Sequence, residues 1–248
     1  MKHDIAYYKK LQGALGSDSP KQTLMRQAAA EVNRCFQKTI NWEVAEVNGQ
    51  KIDLTITPGE NEKHKKVKTR PGQTLRLGDI VHWANTAWLV NALDFNEELH
   101  CAAKMEQCNV VLRWQDNNLE TQSEFGVAAD ATKYGSGTDT TAYLTLGSFV
   151  ISVDVTINER TMQLQRDQRF LIGYAGNGYR QTPFKITRIN QITGTYDIAG
   201  QEIGKGYLQI SMVEDQFREG KDNTKLGIAD YVDPNAPEPP KDESGWFG

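Results

Sequence analysis

Alternation of apolar and polar residues around an Asn-Gly pair constrains the fold of this chain more than any other feature of its sequence. Trp42 and Val44 precede Asn48-Gly49, and apolar residues resume at every second position on the far side, at Ile52, Leu54 and Ile56. Asn and Gly both accept the positive φ of a two-residue hairpin turn, so this arrangement is the strongest short-range signal of a β-hairpin. An antiparallel sheet is therefore expected to begin near residue 42.

Further segments with strand character follow the hairpin at short intervals. They are bounded by Gly, Asn, Asp or Glu and cover residues 75–83, 87–95, 99–105 and 109–115. Closely spaced short strands are typical of a small antiparallel barrel. We therefore assign residues 41–116 to a small SH3-like β-barrel domain, whose core is expected to include Val81, Trp83, Trp88 and Val90.

A second antiparallel β domain is predicted over residues 117–226. A polar, glycine-containing loop interrupts the strands at residues 116–141, and strict alternation then returns at Phe149, Ile151, Val153, Val155 and Ile157. A period of two indicates a strand with one buried face. Shorter segments of the same kind follow as far as residue 213, so this domain is expected to be a β-sandwich or a barrel.

The two ends of the chain differ from the β domains. Residues 20–37 give the one strong helical signal, because apolar residues recur near a helical period at Leu24, Ala28, Val32 and Cys35. Residues 5–17 are interpreted as either a second short helix or a mobile arm, and with the helix they belong to an N-terminal segment, 1–40. The acidic, proline-rich residues 227–248 predict an extended tail.

The tail ends in Trp246 and Phe247, and two interpretations of these aromatics stay open. They either dock into a neighbouring protein, because two aromatics at the tip of a polar tail are unfavourable in water, or they are incidental to a disordered tail. With the helix and the two β domains, the fold class is mainly β.

Charge and cysteine content exclude several classes of protein. The 248 residues carry a formal net charge of −4, so the molecule as a whole lacks the positive field of a dedicated nucleic-acid-binding protein. No segment has the apolar length of a signal peptide or a membrane helix. Three irregularly spaced cysteines favour free thiols in a reducing compartment. The chain is therefore expected to stay in the cytoplasm where it is made, away from membranes.

No combination of residues predicts a catalytic or metal site. His100-Cys101 and Cys108 fall short of the four ligands that a closed structural zinc site requires. Gly173, Gly176 and Gly178 imitate part of a phosphate-binding loop, but no Walker lysine follows them. We therefore expect a protein without enzymatic activity, metal or cofactor.

One cationic run is a candidate binding element. It lies between two predicted strands and is expected to form a projecting loop or hairpin tip, with the basic residues Lys63, His64, Lys65, Lys66, Lys68 and Arg70. Such a run is either a solvated face or, when repeated around a ring, a positive collar that contacts DNA phosphates or an acidic partner. An alternative places Trp83, Trp88 and Trp114 beside it as stacking platforms of a single-stranded nucleic-acid-binding barrel, although core packing is the favoured use of these tryptophans.

Several short motifs resemble one family. Gly78-Asp79-Ile80-Val81 is followed by a turn and by Trp88-Leu89-Val90, and a second block contains Phe170-Leu171-Ile172-Gly173 and Pro183-Phe184-Lys185-Ile186. Together with Gly227-Ile228-Ala229-Asp230-Tyr231, these motifs resemble the head-closure or head-tail connector proteins at the neck of long-tailed bacteriophages. The resemblance spans roughly residues 38 to 231.

The resemblance implies a structural virion protein. Proteins of this kind form a ring of six or twelve copies around the DNA channel, join the portal or adaptor to the tail proteins and help to retain the genomic DNA. It implies no catalytic residues and a location in the virion, assembled in the host cytoplasm. A tail-tube, tail-terminator or baseplate-proximal protein is the alternative within the same particle.

Overall fold

The computed structural model describes residues 20–94, 99–130, 149–174, 176, 180–191, 194–196, 198–204 and 206–234. The chain divides into two compact units, Met1–Gln107 and Cys108–Gly248. The predictions for the arm at residues 5–17, for most of the glycine-containing loop and for Trp246 and Phe247 lie outside the described residues. No helix within the described residues has the length and apolar character needed to cross a membrane.

One α-helix precedes the first sheet, as the sequence predicts. Helix α1 covers Pro20–Cys35 and continues into a short 3-10 turn, Phe36–Lys38. None of the side chains at residues 21–35 is buried, whereas Phe36 is only 4% exposed. The helix is therefore fixed mainly at its C-terminal end.

The first unit is a closed antiparallel barrel. Its strands are β1 (Trp42–Val47), β2 (Gln50–Pro58), β3 (His64–Thr69), β4 (Ile80–Trp83), β5 (Thr86–Asp94) and β6 (Ala102–Gln107). They pair in the order β1-β2-β3-β6-β5-β4, and β4 pairs again with β1. Asn48 and Gly49 have φ values of 51° and 77°, as the predicted hairpin turn requires.

Alternate residues of these strands fill the barrel interior. Val81 and Val90 are completely buried and Trp88 is 4% exposed, while Trp83 is half-buried and packs against them. The turn before β4 is held by Asp79, whose carboxylate accepts hydrogen bonds from the Arg76 backbone N–H and the Asn48 amide at 2.8 and 3.0 Å. The Gly78-Asp79 motif thus closes one end of the barrel.

The second unit is built on a six-stranded antiparallel sheet. Its strands are β7 (Val110–Gln115), β8 (Thr121–Asp130), β9 (Val150–Thr156), β10 (Arg169–Ile172), β11 (Thr182–Asn190) and β14 (Tyr207–Glu214), and a separate small ribbon contains β12 (Thr195–Tyr196) and β13 (Glu202–Gly204). The sheet order is β10-β11-β14-β9-β8-β7. Trp114 of β7 contacts Phe170 of β10 edge to face, with ring centroids 6.0 Å apart, so the sheet curls until its two edge strands meet.

Three boundaries differ from the sequence-based expectations. Strand β7, predicted to end the barrel domain, pairs with β8 of the second unit, so the division falls after Gln107 rather than after residue 116. Asp116 explains the difference, because its carboxylate accepts the backbone N–H groups of Asn118 and Glu120 and closes a tight β7–β8 turn. Strand β8 also occupies part of the predicted loop, and Thr161–Gln163 form a 3-10 turn where a strand was expected.

The described residues therefore confirm a mainly β protein. It has an N-terminal helix and two six-stranded, antiparallel, barrel-like sheets.

Candidate binding groove on the barrel

The cationic run forms strand β3 and not the projecting loop that the sequence predicts. It lies between β2 and β6 and pairs with both. Val67 and Thr69 are buried, while Lys66 and Lys68 are exposed on the outer face because side chains alternate along a strand. Lys63 lies in the turn that precedes the strand. The run therefore splits into residues with different environments.

Two of the predicted binding residues contact other parts of the barrel. The Lys65 ammonium lies 5.9 Å from the centroid of the Trp88 ring, a cation–π distance. Arg70 donates hydrogen bonds to the Asn33 side chain at 2.8 Å and to the Asp53 carboxylate at 3.2 Å. Arg70 thus fixes the end of α1 to the barrel, and its guanidinium is committed to this structural role.

Lys66 and Lys68 line a groove of about 390 Å³ on the outer face of the barrel. The groove crosses four strands as two rows of neighbouring side chains. The strand registers give a first row of Thr57, Lys66, Lys104 and Ala92 and a second row of Thr55, Lys68, Ala102 and Asp94. We call this feature the lysine groove.

The lysine groove places two like charges side by side. Lys66 and Lys104 are direct cross-strand partners, an arrangement that costs stability because their charges repel. Lys104 also contacts Glu60, with 3.1 Å between the ammonium and the carboxylate, and this hydrogen bond lowers the pKa of Glu60. Three lysines and a single aspartate contribute charge to the lining, so the groove is cationic overall.

The floor of the lysine groove is small and partly apolar. Ala92 and Ala102 are half-buried, and the hydroxyl groups of Thr55 and Thr57 are directed to the backbone carbonyls of Lys68 and Lys66 at 3.4 and 3.2 Å. No aromatic side chain contributes to the groove lining. The arrangement suits a narrow anionic chain that presents small apolar groups between its charges.

A buried ionic cluster in the second unit is the feature that sequence reasoning missed. Arg169 on β10 donates hydrogen bonds to Asp215 at 2.7 Å, to Asp222 at 2.9 and 3.0 Å and to Asp230 at 2.9 Å. Its Nη2 group also reaches the backbone carbonyl of Gln216 at 2.6 Å. The guanidinium thereby ties residues 215–230 to the edge of the sheet.

The ionic cluster also shifts the acidity of its members. Burial acts to raise the pKa of Asp222, but hydrogen bonds from Arg169 and from the backbone N–H groups of Arg218 and Asp230 outweigh it and lower that pKa. Asp215 follows the same pattern, with its pKa lowered by a backbone hydrogen bond and by Arg169 against the effect of burial. All of these groups that accept hydrogen bonds from Arg169 belong to the second unit itself, so the cluster has a structural role.

The tryptophans do not form a stacking platform. Trp88 and Trp114 are each 4% exposed, and they lie in the cores of different units. Trp83 packs against Trp88 with ring centroids 5.8 Å apart. A base cannot stack on the buried rings of Trp88 and Trp114, so these two residues serve packing, the use that the sequence favours.

Two of the candidate metal ligands, His100 and Cys101, contact backbone groups of the first unit. His100 Nδ1 is 2.9 Å from the Thr69 carbonyl oxygen, and the Cys101 thiol contacts the Leu75 backbone. In the part of the chain that the structure describes, no group of three or more His, Cys, Asp and Glu residues could hold a metal ion.

Comparisons with known proteins add little to this description. No protein-family model and no curated protein matches this chain. One solved structure, described as MrkH, a novel c-di-GMP dependence transcription regulatory factor, aligns with 80% of this chain and 86% of its own length at 11% identity, with a TM-score of 0.25. A likeness at that score supports no argument about function.

Proposed function

We propose that this protein is a structural component of a tailed bacteriophage, which forms a ring in the neck between the portal and the tail and helps to retain DNA. It acts by assembly with copies of itself and with neighbouring virion proteins, without catalysis. The first unit serves as a small SH3-like barrel, the second as a ring-forming β domain, and the C-terminal residues as an extended tail. The motif resemblance described above supports this assignment.

One observation carries the assembly part of the proposal. Helix α1 is folded over sixteen residues, yet none of its side chains at 21–35 is buried, and Leu24 is 65% exposed. Isolated helices of this length are marginal in water, and in proteins most of their stability comes from packing an apolar face. Leu24 is exposed and Met25, Ala28 and Val32 are only partly buried, so contact with another chain would complete the packing of this face.

The residues that follow the helix extend this apolar surface. Ile40 is 99% exposed, and Val44 on β1 is 48% exposed. Obligate interfaces are more apolar than ordinary protein surface, because they resemble a domain core divided between chains. We expect Leu24, Ile40 and Val44 to become buried in the assembled ring.

Electron cryomicroscopy of intact particles tests the proposed function. The account predicts neck density with rotational symmetry in which both β units can be placed, with α1 packed against an adjacent chain. Placement of the chain in the tail tube, tail terminator or baseplate would support the alternative assignment within the particle. Particles in which every ordered layer belongs to other proteins would contradict both assignments.

A further inference from the structure

The lysine groove has the composition of a site for an acidic peptide. Its floor is built from alanine and threonine, and its positive charge comes from Lys66, Lys68 and Lys104. The direct Lys66–Lys104 pairing is unfavourable in the isolated chain and becomes favourable when an anion lies between the two ammonium groups. Glu60 already offsets part of this repulsion at Lys104, and an anion in contact with Lys66 would offset the remainder.

The side chains that line the groove favour one class of anion over others. Single-stranded nucleic acid is held by bases that stack on aromatic side chains, and the groove lining contains none. Duplex binding depends on many phosphate contacts, whereas this surface places three lysines on two adjacent strands. A peptide with a few carboxylates matches the number of positive charges better than DNA does.

The backbone of the groove favours a peptide of a particular conformation. Strands β2, β3, β6 and β5 each have partners on both sides in the closed barrel, so the groove presents side chains and no free strand edge. A bound segment therefore cannot add a strand to the sheet. Proline-rich segments suit such a surface, because the polyproline II helix has no internal hydrogen bonds and proline has no N–H group to satisfy.

The chain itself contains a segment with these properties. Residues 233–243 carry Asp233, Glu238, Asp242 and Glu243 against a single Lys241, and they also contain four prolines. Four strands at a spacing of about 4.8 Å span roughly 14 Å, which is the length of about five polyproline II residues at about 3.1 Å each. Glu238 and Asp242 are four residues apart, or about 12 Å in this conformation, and therefore fit within the width of the groove.

We propose that the lysine groove binds the acidic, proline-rich segment 233–243 of a second copy of this chain. The carboxylates of Glu238, Asp242 and Glu243 pair with Lys66, Lys68 and Lys104, and the intervening prolines pack on Ala92 and Ala102. The choice of a second copy rests on the proposed function, since a groove on one subunit and a tail on the next make a head-to-tail contact that can close into a ring.

A peptide-binding experiment tests the groove independently of ring formation. A fluorescently labelled peptide of residues 230–245 is titrated onto the full chain at low concentration, and binding is followed by anisotropy. We expect saturable, salt-sensitive binding that the double variant Lys66→Gln/Lys104→Gln weakens by about tenfold, because two charge pairs are lost. Lys51→Gln is the matched control, since Lys51 is an exposed lysine on β2 outside the groove.

Three results of the peptide titration would overturn the inference. They are absence of peptide binding, equal weakening by Lys51→Gln, and unchanged binding of a peptide whose carboxylates are replaced by amides. A short DNA duplex that displaces the peptide and binds more tightly would also overturn it, by assigning the groove to phosphate. Native mass spectrometry of the same samples reports self-association, so failure of ring formation is distinguishable from failure of the groove.

A zero-length carbodiimide crosslink locates the donor copy in the full chain. In an equal mixture of ¹⁴N- and ¹⁵N-labelled protein, crosslinks between the groove lysines and residues 238–243 are expected to join the two isotopes. The Lys104–Glu60 contact of 3.1 Å supplies an internal positive control. Crosslinks to the tail found only within one isotope would contradict docking between copies.

Discussion

The guanidinium of Arg169 and the carboxylate of Asp222 form two hydrogen bonds of 2.9 and 3.0 Å, and their side chains are 2% and 0% exposed. This pair joins the edge strand β10 to the segment that closes the second unit. The same segment places Ile228 in a fully buried position. The pair therefore fixes a stretch of chain that no strand of the sheet holds.

Removal of one member of this pair should strongly destabilise the second unit. Arg169→Gln leaves the buried carboxylate of Asp222 without its charged partner, which typically costs about 3–5 kcal/mol. Urea denaturation followed by tryptophan fluorescence measures the loss. Arg218→Gln serves as the control, because Arg218 is about half exposed and its ion pairs contribute about 1 kcal/mol or less. A loss for Arg169→Gln no larger than that of the control would contradict the assigned role.

Acid should weaken the second unit through the same cluster. The pKa values of Asp215 and Asp222 are lowered in the folded state, so the unfolded chain binds more protons in the acid range. Their stabilising contribution is therefore complete above the ordinary aspartate pKa of about 4 and is lost as the pH falls through the lower folded values. Thermal unfolding between pH 7 and pH 2 measures this loss, and Asp222→Asn should flatten the profile. If Asp222→Asn showed the same dependence of thermal stability on pH as the natural sequence, the ionic cluster would not be the origin of the acid sensitivity.

Helix α1 should loosen when its attachment to the barrel is removed. Arg70→Ala deletes the hydrogen bonds to Asn33 and Asp53, which are partly exposed and together contribute about 1 kcal/mol. Hydrogen–deuterium exchange is expected to rise over residues 21–35 while barrel peptides keep their protection. Lys66→Ala, on strand β3 just before Arg70, should leave helix exchange unchanged. Equal exchange in the two variants would show that the helix is held by other contacts.

Neutralising one lysine of the lysine groove should not lower the stability of the first unit and is expected to raise it. Lys66→Gln removes the cross-strand repulsion with Lys104, so the free energy of unfolding should stay equal or rise by about 0.2–1 kcal/mol. Chemical denaturation of the first unit measures the change, with Lys51→Gln as the reference because Lys51 faces Glu46 across the β1–β2 pair. A clear loss of stability in Lys66→Gln alone would mean that Lys66 supports the fold.

Local patterns account for the parts of this structure that the sequence predicts well. The Asn48-Gly49 hairpin, the helix at 20–35 and the alternating strand at 150–156 each depend on residues close together in the chain. Taken together, the charges of the cationic run predict a projecting loop, and this prediction is wrong because the run forms β3. Val67 and Thr69 alternate with Lys66 and Lys68, which is the pattern of a strand with one solvated face.

Contacts between distant residues explain what the sequence did not predict. Arg169 is separated from Asp215, Asp222 and Asp230 by 46, 53 and 61 residues, so no short motif contains the cluster. The lysine groove depends on the register of β3 against β6, which aligns Lys66 with Lys104 although the two residues are 38 positions apart in the chain. Registers of this kind are set by packing of the whole barrel and not by local propensity.

Self-association of the full chain, measured by sedimentation velocity for the natural sequence and for Leu24→Glu, tests the central claim most directly. Gln27→Glu is the matched control, because it adds the same charge at an exposed polar position of the helix. The account predicts a discrete ring-sized species for the natural sequence and for Gln27→Glu, and a monomer of unchanged thermal stability for Leu24→Glu. A natural sequence that stays monomeric up to its solubility limit, or a Leu24→Glu variant that assembles equally well, would contradict it.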